Sequence, residues 1–129
     1  MKKKILIVCA NYYKEISKGL LKSAYNKLPK TYTSKLLHVK GVFEIPVTIS
    51  KNIKKYDGFI ALGCVIKGKT PHFDFISQAT TNAIMDLSVQ HKKPIGNAII
   101  TCLNSKQAQI RKKKGAEATE AVISVLSQK

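Results

Sequence analysis

The stretch GFIALGCVIKGKTPHFDFI, Gly58 to Ile76, decides the fold. Its first part, Gly58 to Ile66, is a continuous apolar run of the kind a strand needs when both its faces are covered. The run gives way to polar residues at Lys67 to Thr70, and from Pro71 the pattern changes period. Ile76, Ala79, Ala83 and Leu87 then fall on one helical face, and the helix is expected to end before Pro94. A buried strand that feeds directly into a long helix is half of a βαβ unit.

The same alternation extends in both directions. KILIVCA, Lys4 to Ala10, reads as a first buried strand, followed by Ile16, Leu20, Ala24 and Leu28 on a helix that Pro29 closes. KLLHV, Lys35 to Val39, gives a second strand, and Pro46 to Lys55 a helix with a weak apolar stripe. IGNAIITCL, Ile95 to Leu103, is the fourth strand. The tail from Asn104 to Lys129 carries Ala118, Ala121, Val122, Val125 and Leu126 on one helical stripe, with Gly115 expected to divide this helix from a shorter one before it. Four strand–helix alternations predict an α/β chain with a parallel sheet covered on both faces. Ligands of such sheets sit at the carboxyl ends of the strands. The candidate site is therefore the loops Asn11 to Tyr13, Gly41 to Pro46, Lys67 to His72 and Cys102 to Ser105.

One of those loops carries a misleading label. GCVIKGKT, Gly63 to Thr70, fits the phosphate-loop pattern G-x-x-x-x-G-K-[ST]. That loop works by aiming successive backbone N–H groups at phosphates, whereas Val65 and Ile66 continue a strand and Pro71 removes an N–H. Nucleotide hydrolysis also needs a carboxylate at another strand end to organise magnesium, and Cys9, Val39 and Cys102 hold those places. The local physics survives the failed label. Gly68 permits a tight turn, Thr70 can cap the helix, and the exposed helix start with Lys69 suits a single phosphate. His72 lies beside that place and could exchange protons with what binds there; alternatively it is a surface residue of the helix.

Length and composition narrow the field. The 129 residues suit one domain, 1–129, and 44% are apolar, enough for a core. No apolar run reaches the ~20 residues of a membrane helix, so no membrane partner is expected. MKKKILIVCANYY lacks the apolar length and cleavage site of a signal peptide, which implies a cytoplasmic protein. The three cysteines have no zinc spacing and read as small core residues, and no metal is expected. The net charge of +16 raises nucleic acid as a partner, but all but one of the 23 basic residues are lysines spread along the chain. Without basic blocks interleaved with aromatics, no nucleic acid is expected, and the charge reads as a solvated lysine surface that also collects small anions.

At this point the residues suggest a family. GCVIKGKTPHFDFI resembles the 6,7-dimethyl-8-ribityllumazine synthase segment G-x-V-I-[RK]-G-x-T-x-H-[FY]-[DE], and GVFEIP, Gly41 to Pro46, resembles G-[AS]-[FW]-E-[IL]-P of the same family. ANYYKEIS corresponds to its aromatic loop after strand one, and NSKQAQIRKKKGAEA to its last segment. The resemblance runs in order along essentially the whole chain. It implies a three-layer α/β/α sandwich with a four-stranded parallel, flavodoxin-like sheet. It also implies the penultimate step of riboflavin synthesis, in which a ribitylamino-pyrimidinedione amine condenses with 3,4-dihydroxy-2-butanone 4-phosphate without cofactor.

Residue by residue, the resemblance makes His72 the proton-transfer group and assigns Gly68, Lys69 and Thr70, with Arg111, to the phosphate and Lys67 to substrate binding. Arg111 is the one arginine, and a guanidinium grips phosphate at two points where an ammonium cannot. Tyr12 matches the ring that stacks on the pyrimidine. Val42, Phe43 and Glu44 match the ribityl segment, Val65 and Ile66 the backbone contacts to the heterocycle, and Lys114 the lysine near the ribityl chain. Asp74 reads as support for His72 or for the helix start. The resemblance further implies a homo-oligomer, a ring of five or an assembly of such rings, in which Asn97, Arg111 and Lys114 come from the adjacent subunit. Three departures stand out: Asn97 replaces a second stacking Phe, Tyr13 replaces Asn, and the Arg111 to Lys114 connection is short. The competing reading is a flavodoxin-like module that binds a flavin or other phosphorylated ligand without turnover.

Overall fold

A computed structural model describes residues 2–68 and 71–128. Four strands, β1 (Lys4–Ala10), β2 (Thr33–Val39), β3 (Gly58–Ile66) and β4 (Ile95–Cys102), form one parallel sheet in the order β2-β1-β3-β4. The central pair are the two runs that read as apolar throughout. From Ile5 to Ala10 every residue of β1 is buried, and so are Gly58 to Cys64 of β3. The edge strands β2 and β4 are only partly buried.

Helices cover both faces. On one face Ile5, Ile7 and Cys9 of β1 and Ile60, Leu62 and Cys64 of β3 pack against Ile16, Leu20 and Ala24 of α1 (Lys14–Lys27) and Ala118 and Val122 of α5 (Lys114–Leu126). On the other, Leu6, Val8, Phe59 and Ala61 meet Ile45 and Ile49 of α2 (Ile45–Lys51) and Ile84 of α3 (His72–His91). Odd and even positions of each strand thus serve different layers, the consequence of the two-residue period of a strand. Each fully buried Ile, Leu, Val or Phe among them contributes about 1.5–3 kcal/mol of transfer free energy. The expected three-layer α/β/α sandwich with a four-stranded parallel sheet is the fold observed.

Several boundaries differ from the sequence reading, each for a local reason. β2 begins at Thr33 rather than Lys35, because pairing with Lys4 and Ile5 recruits Thr33 and Ser34, although both are exposed and show no apolar signal. The helix expected over Pro46 to Lys55 is shorter. A 3-10 turn, Val42–Glu44, precedes α2, and α2 stops at Lys51, where the Asn52 side chain donates to the Thr48 carbonyl at 2.8 Å and the chain turns. The apolar stripe of α3 is shifted too. Thr80 and Ile84 are its buried positions, Ile76, Ala83 and Leu87 are half-buried, and Ala79 is exposed, because this helix covers the sheet only shallowly.

The tail is also divided elsewhere than expected. A short helix α4 (Ser105–Ile110) is capped by Asn104, whose Oδ1 accepts from Gln107 N at 2.9 Å while Gln107 Oε1 accepts from Leu103 N at 2.8 Å. The break before α5 is a 3-10 turn at Arg111–Lys113. Gly115 lies inside α5, where a Cβ would strike the Leu20 carbonyl of α1. Glycine there allows close helix approach. Ser23 and Thr119 stitch the contact, Ser23 Oγ accepting from Ala116 N at 2.8 Å and Thr119 Oγ1 donating to Ala24 O at 3.0 Å.

Candidate active site

Parallel pairing aligns the strand ends. Cys9 sits beside Leu62, Ala10 beside Val39 and Ile66 beside Cys102, so all four following loops leave the sheet at the carboxyl end of its strands. There Tyr12, Tyr13, Gly41 to Glu44, Cys64 to Ile66, His72, Phe75, Ile76 and Ala79 line a groove of about 640 Å³. A groove of this size suits a small molecule.

Each wall has its own cause. The first loop is held at both ends: Asn11 N donates to Val39 O at 2.9 Å, and Ser17 Oγ donates to Ala10 O at 2.6 Å. This fixes Tyr12, a residue 74% exposed, at the rim, with its ring edge-to-face with Tyr13 at 4.8 Å and 78°. The second loop is tied by Glu44, whose Oε1 accepts from Gly41 N at 2.9 Å, and Thr48 Oγ1 donates to Glu44 O at 2.8 Å. Phe43 between them stands 64% exposed. Below, Val42 is buried against β3 at Gly63, where a Cβ would come within 2.8 Å of the Val42 side chain. The glycine of the failed phosphate-loop pattern therefore serves packing, and Val65 and Ile66 are indeed strand.

The third wall is the start of α3. His72 is its first residue, with Pro71 just before it donating no N–H and its carbonyl accepting from Asp74 N at 3.0 Å and Phe75 N at 3.2 Å. His72 and Phe75 are exposed and both line the groove. Asp74 lies in the first turn, where a carboxylate favours the helix dipole. Lys69 and Thr70 lie outside the described residues. Lys67 and Gly68 are exposed just beyond β3, with Lys67 N donating to Cys102 O at 2.8 Å. No described glycine has positive φ, and a Cβ at Gly68 would meet nothing within 4 Å, so neither its backbone angle nor its surroundings demand glycine at that position.

The remaining candidates gather elsewhere. Asn97, Arg111 and Lys114 line a second concavity of about 470 Å³ along β4 and share none of the groove's lining. Arg111 Nη1 donates to Thr101 O at 2.7 Å, which holds the guanidinium against the strand edge, and touches Cys102 Sγ at 4.0 Å. Asn97 Oδ1 accepts from Ile99 N at 2.9 Å, and Lys114 Nζ lies 3.4 Å from Glu117 Oε1.

Sequence reasoning missed four groove residues: Cys64, Phe75, Ile76 and Ala79. Phe75 lies one helical turn after His72, so helical phase alone places it on the same face. Cys64 was read only as core, and all three cysteines are buried. Burial and the neighbouring Cys102 thiol push the Cys64 thiol up to about 12, which makes it a poor nucleophile near neutral pH. Burial likewise raises the Tyr13 hydroxyl, with Tyr12 and Cys64 adding to it, and raises Cys9 against a lowering hydrogen bond with Ser17. No described helix is long and apolar enough to cross a membrane.

Residues 2–129 match the family described as 6,7-dimethyl-8-ribityllumazine synthase. The chain is similar to the 6,7-dimethyl-8-ribityllumazine synthase of Bartonella tribocorum, with 41% identity over 140 positions covering 100% of this chain and 93% of the relative. It is 40% identical to 6,7-dimethyl-8-ribityllumazine synthase 1 of Rhodopseudomonas palustris, covering 95% of this chain and 83% of that one. With the Cutibacterium acnes protein of the same name it shares 35% identity over 96% and 80%.

Proposed function

We propose that this chain, which belongs to the 6,7-dimethyl-8-ribityllumazine synthase family, runs its family's condensation in the groove headed by His72. The reaction joins 5-amino-6-(D-ribitylamino)uracil to 3,4-dihydroxy-2-butanone 4-phosphate and yields 6,7-dimethyl-8-ribityllumazine, the penultimate step of riboflavin biosynthesis. The amine attacks the ketone to give a Schiff base and water, phosphate leaves, and ring closure releases a second water. Membership over residues 2–129 counts against a binding module without turnover.

The observation that carries the assignment of residues is the convergence of Tyr12, Val42, Phe43, Glu44, Val65, Ile66 and His72 on one groove. Tyr12 and Phe43 offer exposed ring faces to the pyrimidine and the ribityl chain. The Glu44 carboxylate accepts from ribityl hydroxyls while it keeps Gly41 N, and the backbone at Val65 and Ile66 faces the heterocycle. The ketone phosphate lies along Lys67 to Thr70 at the start of α3, where backbone N–H groups and the helix dipole favour an anion. His72 then stands at the carbonyl under attack and moves protons to and from the departing oxygen.

Arg111 completes the phosphate site from a second copy of the chain, together with Asn97 and Lys114. This reading is supported by the separation of the two sets in one chain, which leaves each copy with two partial sites. Assembly as a homo-oligomer, a ring of five, joins them, and the protein works in the cytoplasm. The test is to mix the pure protein with both substrates, without metal, and to measure its size on the same sample. Fluorescent lumazine formed by an oligomer supports the reading; turnover by a stable monomer overturns the shared site.

A further inference from the structure

We infer that Tyr13 is a positioning residue for the pyrimidine: it holds the Tyr12 ring in the orientation that stacks. The inference rests on the assignment of Tyr12 as the stacking platform.

Tyr12 is a ring with little of its own to lean on, since 74% of the residue is exposed. Such a side chain samples its staggered rotamers freely, and ligand binding must then order it. Tyr13 removes that freedom. Its ring meets Tyr12 edge-to-face, with centroids 4.8 Å apart and planes at 78°. That geometry directs the positive edge of one ring at the negative face of the other and so fixes their angle. Tyr13 is itself anchored. It packs on the core cluster of β1, α1 and β3, and its carbonyl accepts from Ser17 N at 2.9 Å. Ser17 in turn donates to Ala10 O, so the pair of tyrosines stands on a loop fixed to the end of β1. The face of Tyr12 that Tyr13 does not touch is left for the heterocycle.

The experiment compares steady-state kinetics of the oligomeric enzyme for Tyr12→Leu, Tyr13→Leu, Tyr13→Phe and the double Leu variant. Tyr13→Leu is expected to raise KM for the pyrimidine amine about two- to tenfold, the range that one aromatic pair is worth, with kcat and KM for the ketone phosphate near wild type. Tyr13→Phe, which keeps the ring, restores the wild-type KM. In the Tyr12→Leu background the Tyr13 change adds nothing, because it acts through Tyr12. Should Tyr13→Leu not fold, the smaller polar Tyr13→Asn carries the same test. A Tyr13 variant that shifts kcat and both KM values together, or adds independently to Tyr12→Leu, overturns the inference. If Tyr12→Leu alone leaves the pyrimidine KM unchanged, the stacking assignment fails first and the inference falls with it.

Discussion

The chemistry at the residue scale depends on His72, an exposed side chain at the head of α3. Because it is exposed, His72→Ala should leave stability within about 0.5 kcal/mol, as surface substitutions do. It should lower kcat by about a hundredfold or more if it removes general acid–base transfer. A thermal melt and a turnover assay on one preparation check both. Cys64 makes the opposite prediction, of stability without chemistry. Its thiol ionises at about 12 in the folded chain against an ordinary 9.0, so the folded state holds its proton longer than the unfolded one. The contribution is therefore complete below the ordinary value and is lost as pH rises through it towards the folded value. Urea midpoints taken at about pH 8 and about pH 10 should fall, and fall less in Cys64→Ala, whose unfolded state has one thiol fewer to ionise. Equal falls in both proteins would remove Cys64 as the cause.

The elements show how far the chain can be read without coordinates. β1 and β3 were legible to the residue because both their faces are buried and polar residues stop at their ends. The edges were less so. Thr33 and Ser34 join β2 through backbone pairing with β1, which leaves no trace in side-chain character. The resemblance carried Tyr12, Phe43 and Glu44 into the site, whereas Cys64 was hidden because a groove wall and a core residue have the same apolar signature. Gly115 looked like a break and is a contact. Gly115→Ala should push α5 off α1 and cost about 1–3 kcal/mol, as overpacking does, visible as a lower urea midpoint. Thr80 gives a prediction of the other sign. Its Oγ1 is buried on α3 without a hydrogen-bond partner among the described residues, so Thr80→Val should be neutral or stabilising by up to about 1 kcal/mol in the same measurement.

For the whole molecule, the two concavities are the feature that matters. One chain carries an imidazole, aromatic rings and a carboxylate in the first and the one arginine of the sequence in the second. A head-to-tail contact between copies brings unlike surfaces together and closes a ring when the rotation allows, so every groove can receive a neighbour's Arg111. Arg111→Ala should then raise KM for the ketone phosphate about tenfold or more, the loss of a charge-assisted bidentate grip, and leave KM for the pyrimidine nearly unchanged. The net charge of +16 adds a general pull on that anionic substrate, which salt should weaken. The decisive measurement unfolds His72→Ala and Arg111→Ala chains together and refolds them as mixed oligomers. With the ketone phosphate held well below its KM, so that both parents are slow, and with site-forming neighbours mixed at random in equal amounts, one site in four pairs an intact His72 with an intact Arg111, so activity should return to about a quarter of wild type. Mixed oligomers of confirmed composition that are no more active than the average of the two parents under the same conditions would contradict a site built from two chains.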